Sequence, residues 1–319
     1  MTRVAGIDCG TNSIRLLVAD IQTDGTTTRL SDVVRRMEIV RLGHGVDRTG
    51  RIAPEAMSRT LAAARTYAEQ CTQLGAERLR FVATSASRDA ENAADFVAGV
   101  REAFGAFGIS PEVVSGDEEA SLSFLGAVAG LAQAGMTGPY LVVDLGGGST
   151  EFVRGTAEVE QARSVDFGSV RMTERHLTSD PPTAPQIDSA GKDVEAAIDE
   201  AAELVDFAGV STLVGVAGSI TTVTANALGL DTYDSAAIHL SRLPVAAVLT
   251  ACTQLLEMSR SERAALPYMH PGRVDVIGGG ALDWRAVVER LGRDAGITEV
   301  VTSEHDILDG IALSIARPA

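Results

Sequence analysis

The sequence has almost no lysine and an excess of acidic residues. Of its 319 residues, 27 are Lys or Arg and 43 are Asp or Glu, which gives a formal net charge of −16. Lys192 is the only lysine. This balance argues against a protein that wraps duplex DNA or lies on an anionic membrane, so we expect neither partner. An anion-binding site in this chain must use arginine side chains or backbone N–H groups, because a P-loop lysine is missing.

Cysteines and long apolar segments are also scarce. Cys9, Cys71 and Cys252 are widely spaced and include no Cys-x-x-Cys pair, which favours a reducing compartment over a disulfide framework or a zinc site. The chain opens on the apolar run Val4–Ile7 without a signal-peptide pattern. No apolar stretch approaches the roughly 20 residues of a membrane-spanning helix. We therefore expect a cytoplasmic protein.

The length of the chain favours two domains, and the hydrophobic pattern predicts that they are similar. Three strands at residues 3–8, 14–21 and 26–36, with a turn at Asp24-Gly25, open a β-β-β-α-β-α-β-α order. The pattern restarts at Tyr140, and Asp144 ends a strand 136 residues after Asp8 does. We infer an internal repeat of two α/β domains, with a ligand-binding cleft between them.

Glycine-rich turns follow the first strand of each repeat. Residues Gly10, Thr11, Asn12 and Ser13 form one turn, and Gly146, Gly147, Gly148 and Ser149 form the other. Such turns let backbone N–H groups converge on an anion such as phosphate, although a purely structural turn is the alternative for either one alone. Gly218 and Ser219 precede a later helix, predicted over residues 220–228, whose N-terminus would add to the phosphate site.

Five motifs, in order, carry a resemblance to a known family. They are Asp8-Cys9-Gly10-Thr11-Asn12-Ser13, Thr84-Ser85-Ala86-Ser87-Arg88, Ser115-Gly116-Asp117-Glu118-Glu119-Ala120, Asp144-Leu145-Gly146-Gly147-Gly148-Ser149-Thr150-Glu151 and Ala217-Gly218-Ser219. Together they resemble the motif set of the exopolyphosphatase/guanosine pentaphosphate phosphatase (Ppx/GppA) family, within the actin-like, sugar kinase and Hsp70 ATPase superfamily. The resemblance implies an α/β fold with two ribonuclease-H-like domains flanking an active-site cleft. The implied domains are residues 1–130 and 131–304, with a C-terminal helix at 305–319 that packs on the first.

The resemblance also implies a reaction. It is the release of terminal orthophosphate from inorganic polyphosphate by hydrolysis with Mg2+, for which Mn2+ could substitute. Hydrolysis of pppGpp, a nucleotide of the stringent response, is the main alternative. An ATP-dependent kinase, suggested by the run Gly278–Gly280, and an actin-like nucleotide-binding scaffold are further alternatives. The acidic composition favours short polyphosphate chains, and a homodimer is the expected oligomer.

Two glutamates at the start of the predicted helix after Ser115 have different expected roles. Ser115 and Glu118 have the spacing of a capping box, in which Glu118 bonds back to the cap. Glu119 precedes Ala120, and the resemblance implies that it is the general base that activates water. A carboxylate that only interacts with the helix dipole is the alternative for Glu119.

Three other acidic residues and one arginine complete the predicted site. Asp144 and Glu151 stand at the two ends of the second glycine-rich turn and have the oxygen ligands that suit Mg2+. Asp8, at the equivalent place in the first repeat, is expected to bind metal through water. The resemblance implies that Arg88 binds phosphate, and an exposed salt bridge is its alternative.

Overall fold

The computed structural model describes residues 2–24 and 27–316 as an α/β protein. The predicted turn at Asp24-Gly25 includes Gly25, which lies outside the described residues. The strands are β1 (Thr2–Cys9), β2 (Ser13–Asp24), β3 (Thr27–Ile39), β4 (Arg78–Ala83), β5 (Glu112–Val113), β6 (Tyr140–Leu145), β7 (Thr150–Gly155), β8 (Val159–Val165), β9 (Thr212–Val216), β10 (Ser241–Pro244) and β11 (Glu299–Thr302). The helices are α1 (Val46–Thr49), α2 (Pro54–Gln73), α3 (Ser85–Asp89), α4 (Ala93–Ala103), α5 (Gly116–Ala127), α6 (Ser169–Arg175), α7 (Ala184–Ala202), α8 (Gly218–Leu228), α9 (Ser235–Ile238), α10 (Val245–Glu257), α11 (Arg260–Ala264), α12 (Ile277–Asp294) and α13 (Ile307–Ala316).

The chain divides into two compact units, each built on one sheet. Unit 1 contains the described residues up to Gly126 and those from Ile307 onward, and unit 2 is Ala127–Asp306. Within the described ranges, no helix combines the length and the apolar character needed to cross a membrane. All three cysteines are free and buried.

Unit 1 has a five-stranded sheet in the order β3-β2-β1-β4-β5. The first three strands are antiparallel neighbours, and β4 and β5 run parallel to β1. One face of the sheet packs on α2 and α4, where Tyr67, Phe81 and Phe96 are fully buried. The other face packs on α13 through Leu308, Ala312 and their neighbours. Both faces of the sheet are therefore covered, as mixed sheets with helical crossovers require.

Unit 2 repeats this plan with one strand more, in the order β10-β11-β9-β6-β7-β8. Its strands β6, β7 and β8 are antiparallel neighbours, and β9 runs parallel to β6. The core includes the buried Trp284 of α12, next to Gly215 of β9, where a Cβ would lie 2.8 Å from the indole ring. The prediction that three sequential antiparallel strands open the chain and that the pattern restarts at Tyr140 is confirmed by these two sheets.

Four short elements leave no signal in the sequence pattern. The helices α1, α3 and α9 and the strand β10 have four or five residues each, too few to show a hydrophobic period. The helix α7 begins at Ala184, where Thr183 and Gln186 form a capping box.

Candidate active site

The turn between β1 and β2 has backbone N–H groups that are not used within unit 1. Gly10 N donates to the carbonyl of Ser13 at 3.0 Å and closes the turn. Backbone N–H groups of residues 40, 41 and 43 donate to the carbonyls of Thr11 and Asn12 at 2.8 to 3.0 Å. Among the described residues, the N–H groups of Thr11 and Asn12 donate no hydrogen bond. These two N–H groups are therefore available to an anion, although phosphate binding by this turn stays a prediction.

The turn between β6 and β7 has the same arrangement in unit 2. Gly146 N donates to the carbonyl of Ser149 at 3.0 Å. Backbone N–H groups of residues 169–171, at the start of α6, donate to the carbonyls of Gly146 and Gly147 at 2.9 to 3.1 Å. The side-chain Nε of Arg171 donates to the carbonyl of Gly148 at 2.7 Å. Within the described ranges, the N–H groups of Gly147 and Gly148 donate to no acceptor. In both repeats, a neighbouring segment donates hydrogen bonds to the carbonyls of the turn, and two backbone N–H groups of the turn stay available.

In unit 1, Asp8 lies directly opposite Arg15 on the neighbouring strand. Arg15 Nε and Nη2 donate to Oδ2 of Asp8 at 2.8 and 2.6 Å, and Asp8 is only 4% exposed. The ion pair partly neutralises the carboxylate that was expected to bind metal through water. No sequence motif singles out Arg15, although its place opposite Asp8 follows from the length of the turn between β1 and β2. Metal binding by Asp8 stays a prediction.

In unit 2, the equivalent cross-strand pair consists of two carboxylates. Asp144 lies opposite Glu151, and the two residues are 6% and 1% exposed. Ser164 on β8 donates its hydroxyl to Oε1 of Glu151 at 2.7 Å, which fixes that side chain. Two adjacent carboxylates fit Mg2+, which proteins commonly hold with one or two carboxylates, waters and substrate phosphates. The described part of the chain has no group of three or more His, Cys, Asp or Glu residues that could hold a metal ion.

Glu119, in the first turn of α5, is a buried carboxylate beside an arginine. Arg88 Nη1 donates to Oε2 of Glu119 at 3.0 Å, and Glu119 is 7% exposed. Burial raises the pKa of Glu119 to about 7; the nearby charge of Arg88 opposes this rise, and the charge of Asp8 adds to it. A carboxylate with a pKa near neutrality can accept a proton from water, which suits the predicted general base.

Arg88 lies in the last turn of α3 and binds the candidate base. Besides Glu119, its Nη1 donates to the carbonyl of Val114 at 2.9 Å, just before α5. The guanidinium is 27% exposed, so this is a half-buried ion pair rather than the exposed one considered from the sequence. The sequence pattern does not reveal the Glu119 partner of Arg88, because α3 is too short to show a hydrophobic period. Phosphate binding by Arg88 stays a prediction.

The predicted capping box at the start of α5 is only half formed. The N–H of Glu118 donates to Oγ of Ser115 at 3.2 Å, as expected. The predicted return bond from Glu118 is wrong, because the carboxylate binds Arg80 of β4 instead. A charged guanidinium is a stronger partner for a carboxylate than a backbone N–H group.

The start of α8 packs closely against a neighbouring arginine side chain and against α12. The helix begins at Gly218 after Ala217, whose φ is 74°. A Cβ on Gly218 would lie 2.5 Å from Nη2 of Arg273, a neighbour that the sequence did not reveal. A Cβ on Gly280 would lie 2.4 Å from Oγ of Ser219. The run Gly278–Gly280 lies in the first turn of α12, and Gly280 lets this turn approach α8. Phosphate binding by Gly218 and Ser219 stays a prediction.

Comparisons with known proteins agree with this arrangement. The Ppx/GppA phosphatase family matches residues 17–315. The chain is 53% identical over 322 aligned positions to exopolyphosphatase 2 of Mycobacterium tuberculosis, and the alignment covers 99% of each protein.

Solved structures of similar proteins have the same fold. The crystal structure of an exopolyphosphatase-like protein, 46% identical, matches with a TM-score of 0.93 over 98% of this chain and 97% of that one. The Aquifex aeolicus PPX-GPPA enzyme, 29% identical, matches with a TM-score of 0.78 over 98% and 99%. The predicted fold class of two ribonuclease-H-like, actin-like α/β domains is confirmed. The chain belongs to the Ppx/GppA phosphatase family and is a hydrolase.

Proposed function

We propose that the protein is an exopolyphosphatase that hydrolyses the terminal phosphoanhydride bond of inorganic polyphosphate. The observation that carries the proposal is the buried carboxylate of Glu119, whose pKa of about 7 suits proton transfer from water at neutral pH. The name of the Mycobacterium tuberculosis relative supports the choice of polyphosphate as substrate.

In the proposed reaction, Glu119 accepts a proton from the water that attacks the terminal phosphorus. The ion pair with Arg88 fixes the carboxylate so that one oxygen can face that water. The available N–H groups of the two glycine-rich turns would bind phosphate oxygens without the rearrangement that flexible side chains need. The chain then supplies a positioned base and preorganised donors, which are the main requirements of phosphoryl transfer to water.

Asp144 and Glu151 are the residues that would hold Mg2+, or Mn2+ in its place. Their directly opposite positions on β6 and β7 offer oxygen ligands at one point of the sheet. A bound divalent ion supplies positive charge for the phosphate oxygens. The Ser164 hydroxyl holds Glu151 in place for this role.

The role of Glu119 is tested by Glu119→Gln, with Glu118→Gln as the matched control. The two glutamates are neighbours, but Glu118 is half-exposed and bound to Arg80. We expect Glu119→Gln to lower kcat for polyphosphate by about 100- to 10,000-fold with little change in KM, because the amide cannot accept the proton. Glu118→Gln should keep kcat within about threefold of the wild type. Wild-type turnover by Glu119→Gln would contradict the proposal.

The substrate is tested by one phosphate-release assay on short polyphosphate, long polyphosphate and pppGpp, with and without Mg2+. The terminal bond of pppGpp is also a phosphoanhydride, so the same base would serve it, and faster release from pppGpp would favour that alternative. We propose a preference for short polyphosphate, because a protein with a net charge of −16 repels the part of a long polyanion that lies outside the binding site. Formation of ADP from ATP with small-molecule acceptors would instead indicate a kinase.

A further inference from the structure

The strand β3 is a long edge that no other described element pairs with on its outer side. It ends the sheet of unit 1 and has 13 residues, whereas the edge strands β5, β8 and β10 have two, seven and four. Its side chains are mostly exposed between residues 29 and 38. Such an edge has backbone N–H and C=O groups that can pair with another strand.

A β-bulge at Val33 divides β3 into two halves. Val34 pairs with Val18 of β2, and Asp32 pairs with Ala19, so Val33 is the extra residue. Successive residues of a strand alternate between the two faces of the sheet. The extra residue shifts this alternation by one, so odd-numbered residues before the bulge share a face with even-numbered residues after it. One set of residues, called set A, pairs with even-numbered residues of β2 and consists of 29, 31, 34, 36 and 38. The other set, called set B, pairs with odd-numbered residues and includes 30, 32, 35 and 37.

Side-chain packing agrees with these two sets. Val34 of set A packs on the core that contains α2. Leu30 of set B packs on the core that contains α13, and Arg35 of set B binds Asp309 of α13 at 2.6 Å. Each set therefore lies on one face of the sheet across the bulge.

We propose that two copies of this chain form a homodimer by antiparallel pairing of their β3 strands about a two-fold axis at Val33 and Val34. This register pairs Arg29 with Glu38, Leu30 with Met37, Ser31 with Arg36 and Asp32 with Arg35 of the second copy. Each of these four pairs joins set A to set A or set B to set B, and the unpaired bulge residue Val33 lies at the axis opposite Val34. Residues of one set direct their backbone N–H and C=O groups away from β2, toward the free edge. Pairing like sets therefore places these groups of one copy opposite the same groups of the other, so that they can form hydrogen bonds. A strand without the bulge could not adopt this register, because paired residues would then belong to different sets.

The charges of β3 fit this register. Among the described residues, the side chains of Arg29 and Glu38 take part in no ion pair or hydrogen bond, although both are charged and exposed. The two-fold axis places each directly opposite the other, and it places Asp32 opposite Arg35. Bulges and charges usually protect an edge strand from pairing. Here the bulge lies on the symmetry axis and no two like charges are directly opposite, so both features favour the second copy.

A charge-swap experiment tests the register in solution. Sedimentation velocity should show the wild type as a dimer at micromolar concentrations. Arg29→Glu and Glu38→Arg each place like charges opposite one another twice in the dimer, so each should weaken dimerisation about tenfold or more. The double variant restores opposite charges and should return dimerisation to within about threefold of the wild type. A monomeric wild type, or a double variant as weak as the single ones, would overturn the proposal.

Disulfide cross-linking gives an independent test. The variant Arg29→Cys/Glu38→Cys places two cysteines directly opposite each other in the dimer, at a Cα separation that a disulfide can span. The control Arg29→Cys/Arg36→Cys has both cysteines in set A but two residues out of register. Mild oxidation should give a covalent dimer with the first variant and little with the control, because the native cysteines are buried. Equal cross-linking of the two variants would contradict the register, and retained phosphate release would show that each variant is folded.

Discussion

The basicity of Glu119 depends on two neighbouring charges of opposite sign. Burial raises its pKa to about 7, Arg88 holds it down and Asp8 pushes it up. A general base acts when deprotonated, so activity rises with pH through this pKa. We expect Arg88→Gln to move the acidic limb of the kcat/KM profile to higher pH by about 1 to 3 units. Asp8→Asn should move it to lower pH, and a rate profile from pH 4 to 9 measures both shifts.

These two variants control for each other. Both remove one charge near Glu119, so a general loss of structure would lower the rate at every pH without moving the midpoint. If the acidic limb moved in the same direction in both variants, Glu119 would not be the group whose titration limits the rate.

Asp283 is a buried carboxyl with no hydrogen-bond partner among the described residues. Both of its oxygens are buried within α12. Burial raises the pKa of this carboxyl well above its usual value. The folded protein therefore keeps a proton that the unfolded chain loses above about pH 4, so stability falls as pH rises.

Asp283→Leu should remove this loss of stability. We expect the free energy of unfolding at pH 7 to increase by about 1–3 kcal/mol, because an unpaired polar group leaves the core. The gain should grow as pH rises above about 4, because the wild type loses stability there through Asp283. Urea unfolding between pH 4 and 8 measures it. Asp309→Leu is the control, since Asp309 is equally buried but binds Arg35, and its replacement should destabilise. A gain from both variants, or from neither, would contradict the prediction.

At the scale of elements, α13 fits α5 only because residue 310 is glycine. A Cβ on Gly310 would lie 1.8 Å from the carbonyl oxygen of Leu122, three residues after the candidate base. Gly310→Ala should lower the free energy of unfolding by about 1–3 kcal/mol and reduce kcat, because α5 must move. Gly191 in α7 has no atom within 4 Å of its Cβ position. Gly191→Ala should instead stabilise by about 0.5–1 kcal/mol without changing kcat, and thermal unfolding with the phosphate-release assay distinguishes the two.

The sequence predicts the elements that the internal repeat contains twice, but it does not predict side-chain contacts between residues far apart in the chain. The spacing between Asp8 and Asp144 was enough to predict two repeats and their glycine-rich turns. Glu118 shows what local spacing cannot predict. The spacing from Ser115 predicts a capping role, but the Glu118 carboxylate binds Arg80, which lies on a strand 38 residues earlier. Arg273 beside Gly218 was missed for the same reason. Such partners come from strand register and helix packing, which a local pattern does not contain.

The bulge at Val33 could not be predicted either. The run from Thr26 to Arg36 was predicted as one extended strand, and nothing in its alternation marks an extra residue. Only the pairing of Val34 with Val18 and of Asp32 with Ala19 reveals it. The charges of β3 could be read from the sequence, but their proposed partners depend on this one irregularity.

At the scale of the whole molecule, the net charge of −16 should determine how ionic strength affects substrate choice. Repulsion of a polyanion reaches about 30 Å at 0.01 M salt and about 8 Å at 0.15 M. A long polyphosphate extends beyond any local binding site and experiences this repulsion, whereas tripolyphosphate is short enough to escape most of it. When the salt concentration is raised from 0.01 M to 0.15 M, the ratio of kcat/KM for long chains to kcat/KM for tripolyphosphate should therefore rise about three- to tenfold. Phosphate release at fixed free Mg2+ measures the ratio, and a fall with added NaCl would mean that an extended basic surface captures the polymer.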